Sequence, residues 1–364
     1  MQESSDRCIL VIDESAAAAS DTADASGSRR IVVAAVAAAT AYFPHADLIL
    51  LATTDWPSAM AQLRVLAPDI PVLPLGDRTM LDAALPALLD DARARREAAR
   101  QLRARHDELE HGLRLLREDE EAGRRVQQRI LPASPRAYGS CVIEHRVLPS
   151  LFLSGDFVDH FEIAPGRVVF YLADVSGHGT SSAFITVLLK TLGNRARRVM
   201  QQSLQQEGQA RPSILLELAN RELLALGLGK HVTMFCGVLD AGRRELCYAV
   251  AGHYPQPIVF DGKCAEYLGA RGMPVGLFDE AVYEDRMHAL PTGFALVLLS
   301  DGLMELLSET SLADKEARLL QVVGSGAVTV ETLSREFALD GRQDLPDDIA
   351  MLVVRDVPSG TPAG

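Results

Sequence analysis

The chain has 364 residues, 48% of them hydrophobic, and a formal net charge of −13. That length allows two domains and a connector, and the apolar content allows a sizeable core. The acidic balance excludes nucleic acid as the main partner and excludes a polybasic membrane anchor, because no basic excess is available to neutralise phosphates.

The longest apolar run, residues 31–43, is too short and too alanine-rich to span a bilayer. The N-terminus shows no signal-peptide pattern. The five cysteines (Cys8, Cys141, Cys236, Cys247, Cys264) contain no CxxC pair and read as reduced, mostly buried thiols of a cytoplasmic protein.

The first segment, residues 1–85, alternates strand and helix patterns. Residues 8–12 and 47–51 read as strands, 60–66 as a helix and 70–73 as a third strand, while 31–41 fits either class. This alternation predicts a small parallel α/β unit. Next comes a segment, 86–136, in which Leu102, Leu109 and Leu116 recur every seven residues with Leu113 between them. It reads as one long helix after Pro86, either a solvated connector or a seam that joins two copies as a homodimer. His106 and Glu120 interrupt the seam, and Pro132 to Pro135 stop the helix.

The remainder, 137–357, is strand-rich, with candidates at 142–148, 167–172, 233–238, 246–251, 258–260, 294–299 and 349–354. Helices are expected from Ser181 to about Gln202 and from Ser213 to about Ala225. The pattern predicts an α+β fold of two sheets flanked by helices. Residues 358–364 read as a flexible tail.

Four acidic segments carry the chemistry: Ser154-Gly155-Asp156-Phe157-Val158-Asp159, Ala173-Asp174-Val175-Ser176-Gly177-His178-Gly179, Ser300-Asp301-Gly302 and Asp347-Asp348-Ile349-Ala350. A lone aspartate at a strand end is usually a turn former or cap. Four such sites suggest carboxylates gathered at one rim of a sheet structure. Carboxylates, carbonyls and water suit hard cations such as Mg²⁺ or Mn²⁺, and no Cys/His set favours zinc.

Taken in order, these four segments resemble the SpoIIE-type branch of the metal-dependent serine/threonine phosphatases, the PPM family. The likeness covers roughly 137–357. Gln127 to Pro132, Ala251-Gly252-His253-Tyr254-Pro255 and Met273 to Leu277 are similar to smaller family features. The resemblance implies an α-β-β-α sandwich and two Mn²⁺ or Mg²⁺ ions bridged by Asp174. It also implies the Val175 carbonyl, Asp301 and Asp347 or Asp348 (the motif favouring Asp347) as further ligands. Asp156 or Asp159 would hold water beside the metals. Val158 stands where an aromatic is common, Ser154 where glycine is, and Ala350 where threonine is. Ser176 leaves no side-chain general acid. His178 and His253 read as residues that satisfy their turns by hydrogen bonding, Arg195, Arg197 and Arg198 as a solvated helix face, and Glu305 as structural.

Asp13-Glu14 after the first strand, with residues 47–51 and 68–73, resembles a two-component receiver domain. The phosphoacceptor position is Ala52, and Gly76 lies near the switch position. The resemblance therefore implies a degenerate receiver that signals by contact or dimerisation, with Asp13, Glu14, Leu102, Leu109 and Leu116 as regulatory residues.

The expected function is a phosphoserine/phosphothreonine phosphatase acting on a regulatory protein. In the resembled branch such substrates are often anti-sigma-factor antagonists of partner-switching pathways. The competing expectation is a non-catalytic adaptor that binds a sigma factor or another regulator.

Overall fold

The computed structural model describes residues 8–13, 20–23, 29–33 and 39–357, apart from 54, 69, 71, 75–77, 178, 327 and 343. Glu14, Gly76, His178 and the tail 358–364 therefore lie outside the described residues. Contacts divide the chain into two units, Met1–Leu115 and Leu116–Gly364.

The first unit contains a five-stranded sheet built from β1 (Cys8–Asp13), β2 (Ser20–Ala23), β3 (Arg29–Val33), β4 (Leu48–Ala52) and β5 (Val72–Pro74). Its order is β2-β3-β1-β4-β5, with β3, β1, β4 and β5 parallel and β2 antiparallel at the edge. The ambiguous apolar run begins as strand because Ile31-Val32-Val33 is β-branched and fits a pleated surface. The serine- and alanine-rich residues 15–28, which show no clear element in sequence, contribute β2. Helix α1 (Trp56–Leu66) lays Ala59 and Leu63 on a core that includes Leu10, Ile12, Ile49 and Leu51. A 3₁₀ turn, Thr40–His45, adds Phe43.

Helix α2 runs from Arg78 to Ile130. It starts before Pro86 rather than after it. Seven of the nine residues 81–89 are alanine or leucine, and their helix propensity outweighs the one hydrogen bond that an interior proline removes. Leu102, Leu109, Leu113 and Leu116 are all exposed.

The second unit is an α-β-β-α sandwich. One sheet has the order β14-β11-β10-β9-β8, and the other β13-β12-β15-β16-β7-β6. The first contains β8 (Asp156–Ala164), β9 (Arg167–Val175), β10 (Val232–Asp240), β11 (Glu245–Ala251) and β14 (Arg286–Ala289). The second contains β6 (Arg136–Tyr138), β7 (Cys141–Leu148), β12 (Ile258–Phe260), β13 (Ala265–Tyr267), β15 (Ala295–Leu299) and β16 (Ile349–Asp356). All neighbours within these two sheets are antiparallel.

Side-chain alternation divides the core into three layers. Phe170, Leu172, Phe235, Leu296, Leu298, Leu352 and Val354 fill the space between the sheets. Tyr171, Ala173 and Val175 turn the other way, against α3 (Thr180–Glu207) and α4 (Ser213–Leu226). Val297, Leu299 and Val353 meet α5 (Gly302–Leu306), α6 (Leu312–Gly324) and α7 (Val330–Glu336) on the far side. Each fully buried large side chain contributes roughly 1.5–3 kcal/mol. Sequence reading missed the short strands β6, β13 and β14 and the long strand β8. Its Asp156-Phe157-Val158-Asp159-His160 run looks too polar for a core strand, yet all five residues are buried.

Candidate active site

The register across three strands sets the site. Asp156 on β8 lies opposite Asp174 on β9, and Asp174 lies opposite Thr233 on β10. Positions 170, 172 and 174 share the face toward the second sheet, so Asp174 stands at the rim of the inter-sheet core. The second sheet brings its own acids to that rim. Ser300-Asp301 follows β15, and Asp347-Asp348 precedes β16. Ser300 N–H donates to the Ala350 carbonyl (2.9 Å) and Ala350 N–H to Ser300 Oγ (2.7 Å), which ties these segments together.

The backbone crossing there leaves no room for a side chain. A Cβ on Gly302 would stand 2.1 Å from the Asp348 carbonyl oxygen. A Cβ on Gly155 would meet the Val175 and Gly177 carbonyls at 3.0 and 3.3 Å. The two glycines are therefore what lets the acidic segments approach.

The electrostatics follow from burial and like charge. The Asp174 carboxyl is pushed up to about 7, first by desolvation and then by Asp301, Asp347 and Asp348. Asp156 is raised well above the usual carboxylate range by burial and by Asp174, opposed by a hydrogen bond from Ser300. Asp301 is raised by burial and by Asp347 and Glu305. Asp156 Oδ2 is buried with no hydrogen-bond partner. Such a concentration of negative charge is compensated by protons or by cations.

The two aspartates of the first segment, left as alternatives by the sequence, occupy different places. Asp156 joins the acidic group. Asp159, an odd number of residues along β8, faces the helices. There Lys190 Nζ donates to its Oδ1 at 2.8 Å and the Tyr171 hydroxyl to its Oδ2 at 3.3 Å.

The pair Asp347-Asp348 divides as well. Asp348 is buried and saturated: its Oδ1 accepts Ser150 N–H (2.7 Å) and Ser150 Oγ–H (2.8 Å), and its Oδ2 accepts Gly155 N–H (2.6 Å). Asp347 has one oxygen engaged locally, by Asp348 N–H at 2.7 Å. Asp348 is thus a clasp on the loop that carries Asp156, and Asp347 is the one with a carboxylate oxygen left for the rim.

Sequence reading missed several supporting groups. Lys230 Nζ donates to the Ser176 carbonyl (2.7 Å) and to Ser182 Oγ (3.3 Å), bracing the turn after Asp174. Ser182 Oγ also donates to the Gly177 carbonyl at 2.7 Å. Ser176 Oγ accepts His231 N–H at 3.0 Å. Gln127, near the end of α2, donates to the Ser154 carbonyl (2.8 Å) and Thr186 Oγ1 (3.0 Å) and accepts Ser154 N–H (3.1 Å). Ser154 Oγ in turn accepts Asp156 N–H at 3.0 Å. The signal for Gln127 was its place in the helix-end motif; a lone lysine such as Lys230 had none.

His253 differs from its sequence reading. Both ring nitrogens are buried without a hydrogen bond, so the ring does not tie down its turn. It packs near Phe235, while the turn is set by Gly252 at φ +66° against Pro274. Arg195 pairs with Glu222, Arg197 lies over the Phe161 ring, and Glu305 sits in the first turn of α5.

The donors fit a hard divalent cation in kind: oxygen only, graded from buried Asp156 through half-buried Asp174 and Asp347 to exposed Asp301, with excess negative charge. Among the described residues no three acidic, histidine or cysteine side chains are drawn closely enough to enclose an ion by themselves. Carbonyls and water would supply the remaining positions, as is usual for Mg²⁺, which keeps several waters and takes one or two carboxylates.

The comparisons with known proteins agree with this architecture. The family model described as Stage II sporulation protein E (SpoIIE) matches residues 164–356. The phosphoserine phosphatase RsbP of Bacillus subtilis (strain 168) is 27% identical over 190 residues, which span 51% of this chain and 45% of RsbP. The chain thus spans less than half the length of that relative. Among solved structures, the SiaA-PP2C domain of Pseudomonas aeruginosa superposes with a TM-score of 0.53 at 20% identity, covering 67% of this chain and 98% of that one. The RsbU and RsbW domains of a Mycobacterium tuberculosis protein give 0.50 at 25% identity, covering 64% and 63%. The match over more than half of the chain, on a PP2C-type sandwich whose acidic segments meet at one rim, makes this protein a member of the SpoIIE family.

Proposed function

We propose that the chain is a Mn²⁺- or Mg²⁺-dependent phosphatase that removes phosphate from serine or threonine of a regulatory protein. The observation that carries this reading is the meeting of Asp156, Asp174, Asp301 and Asp347 at the rim between two sheets, with no ion pair to any of them among the described residues. The substrate we favour is a phosphorylated anti-sigma-factor antagonist, in keeping with a relative named as a phosphoserine phosphatase. The protein is placed in the cytoplasm in this reading, where a regulatory phosphoprotein of that kind would be met; no described helix is long and apolar enough to cross a membrane.

Asp174, Asp301, Asp347 and the Val175 carbonyl would hold the ions, and Asp156 would orient water beside them. When bound, the ions supply Lewis-acid activation of water and neutralise phosphoryl charge. The chain's own part is positional. Asp348 fixes the loop that carries Asp156, Lys230 and Ser182 fix the turn after Asp174, and Ser300 splints the two acidic strand ends. No side-chain acid is assigned to the leaving group, because Ser176 offers only an aliphatic hydroxyl, too weak an acid to protonate it; water supplies that proton.

The first unit is proposed as a degenerate receiver. Its parallel order β3-β1-β4-β5 follows the first four places of the flavodoxin-like arrangement. Asp13 pairs in register with Ala52, so the neighbour of the acidic strand end cannot accept a phosphoryl group. The leucine stripe of α2 is proposed as a homodimer seam.

The test is hydrolysis of a phosphoserine protein by the purified chain with Mn²⁺ and then with EDTA, alongside Asp174→Asn. Turnover that needs the metal and is lost in Asp174→Asn is expected. Turnover indifferent to both refutes the assignment. Retention of a sigma factor by both forms without hydrolysis returns the reading to an adaptor.

A further inference from the structure

An apolar surface adjoins the acidic rim and takes no part in the chemistry of hydrolysis. Leu226 at the end of α4, Leu228 beyond it, and Leu277, Phe278 and Val282 in the loop between β13 and β14 are all exposed. Single exposed apolar residues are ordinary, whereas a group of them on neighbouring segments marks an interaction surface.

Backbone pairing brings the two segments together. Val232 and Val275 exchange backbone hydrogen bonds at 2.9 Å in both directions, as an antiparallel bridge. The residues before Val232 and those after Val275 therefore lie at the same end of that bridge. Buried Asn220 fastens the loop to α4: its Nδ2 donates to the Phe278 carbonyl (3.0 Å), and its Oδ1 accepts Gly276 N–H (2.7 Å). Leu228 stands between Gly227 at φ +60° and Gly229 at φ +65°, left-handed positions that a side chain would resist. The surface is thus held in advance, and burying it demands little ordering.

The turn after Asp174 lies at that same end. Ser176 N–H donates to the His231 carbonyl (2.9 Å), and Lys230 Nζ to the Ser176 carbonyl (2.7 Å). Leu228 precedes Thr233, the register partner of Asp174, by five residues, at most about 18 Å of chain. An extended substrate segment covers that distance with about five residues.

We propose that this surface receives the polypeptide flanking the phosphoserine, and that it selects substrates with apolar side chains about three to five residues from the phosphate. The inference rests on the phosphatase reading and names the substrate class of that site.

The experiment compares two phosphoserine peptides of about 13 residues, with Mn²⁺ present. They differ only in carrying leucine or serine about three to five positions from the phosphoserine on both sides. p-Nitrophenyl phosphate serves as a substrate too small to reach the surface. The leucine peptide is expected to have a kcat/KM at least about tenfold higher, carried by KM. Leu228→Asp with Phe278→Asp is expected to remove that preference and leave p-nitrophenyl phosphate turnover unchanged. The milder Leu228→Ser is expected to reduce the preference by about threefold, and it decides alone if the double variant loses p-nitrophenyl phosphate turnover. Hydrolysis of p-nitrophenyl phosphate without a peptide preference, or a preference that survives the substitutions, overturns the docking proposal and leaves the phosphatase reading standing. A chain that hydrolyses neither peptide nor p-nitrophenyl phosphate overturns both. Conversion of dimers to monomers by the double substitution, with the preference intact, makes the surface a contact between copies and overturns the proposal too.

Discussion

Asp348 accepts the backbone N–H of Gly155 at 2.6 Å across 193 residues of sequence. The same carboxylate also takes both donors of Ser150. One buried side chain at the start of β16 thereby fixes the loop that delivers Asp156 to the rim, although its neighbour Asp347 has the same charge and chemical type.

This division predicts opposite phenotypes for the two aspartates. Asp348→Ala leaves buried N–H groups without an acceptor and should cost about 2–4 kcal/mol of stability in urea denaturation, with hydrolysis lost as the Asp156 loop slackens. Asp347→Ala should change stability little but weaken manganese uptake, read by calorimetry. Equal destabilisation by both substitutions contradicts the division of roles.

Gly302 is fixed by a crossing rather than by a turn. Gly302→Ala would force its new methyl toward the Asp348 carbonyl, 2.1 Å away, so the Asp301 and Asp347 segments must separate. The expected result is a stability loss of about 1–3 kcal/mol together with loss of phosphatase turnover. A variant with normal melting temperature and normal turnover shows that the crossing is looser than drawn.

Burial lowers His253 to about 4, below its ordinary 6.5. A base with a depressed folded pKa is neutral in the folded state, while the unfolded chain takes up the proton. The stability it permits is present above pH 6.5 and is lost as pH falls through the window from 6.5 to about 4. The loss over that window is about 3 kcal/mol. His253→Leu should flatten this part of the pH–stability curve, measured as urea midpoints from pH 7 to pH 4. An unchanged slope removes His253 from the account.

The exposed stripe Leu102, Leu109, Leu113 and Leu116 predicts self-association through α2. The 364-residue chain should sediment as a dimer, and Leu109→Glu with Leu116→Glu should yield monomers that keep their helicity. A wild-type chain that stays monomeric at micromolar concentration ends the seam proposal.

The sandwich was legible because its strands are nearly pure apolar runs such as Val168 to Leu172 and Ile349 to Val354, and buried strands leave that mark. The long helix was legible from spacing, although its start at Arg78 was not, since Pro86 reads locally as a boundary. Strand β8 escaped because Asp156, Asp159 and His160 interrupt its apolarity; Lys190 and Tyr138, which bond Asp159 and His160, lie elsewhere in the chain. Composition and motif order by themselves determined the acid types, their order and the helix that precedes them. Tertiary structure alone decided where each aspartate sits. Asp156 and Asp159 separate because neighbouring strand positions face opposite sides, and Asp347 and Asp348 separate because only one of them meets the donors of a loop folded back from far upstream. Side-chain direction and long-range hydrogen bonding depend on pairings between distant segments, and a linear pattern carries no coordinates for those.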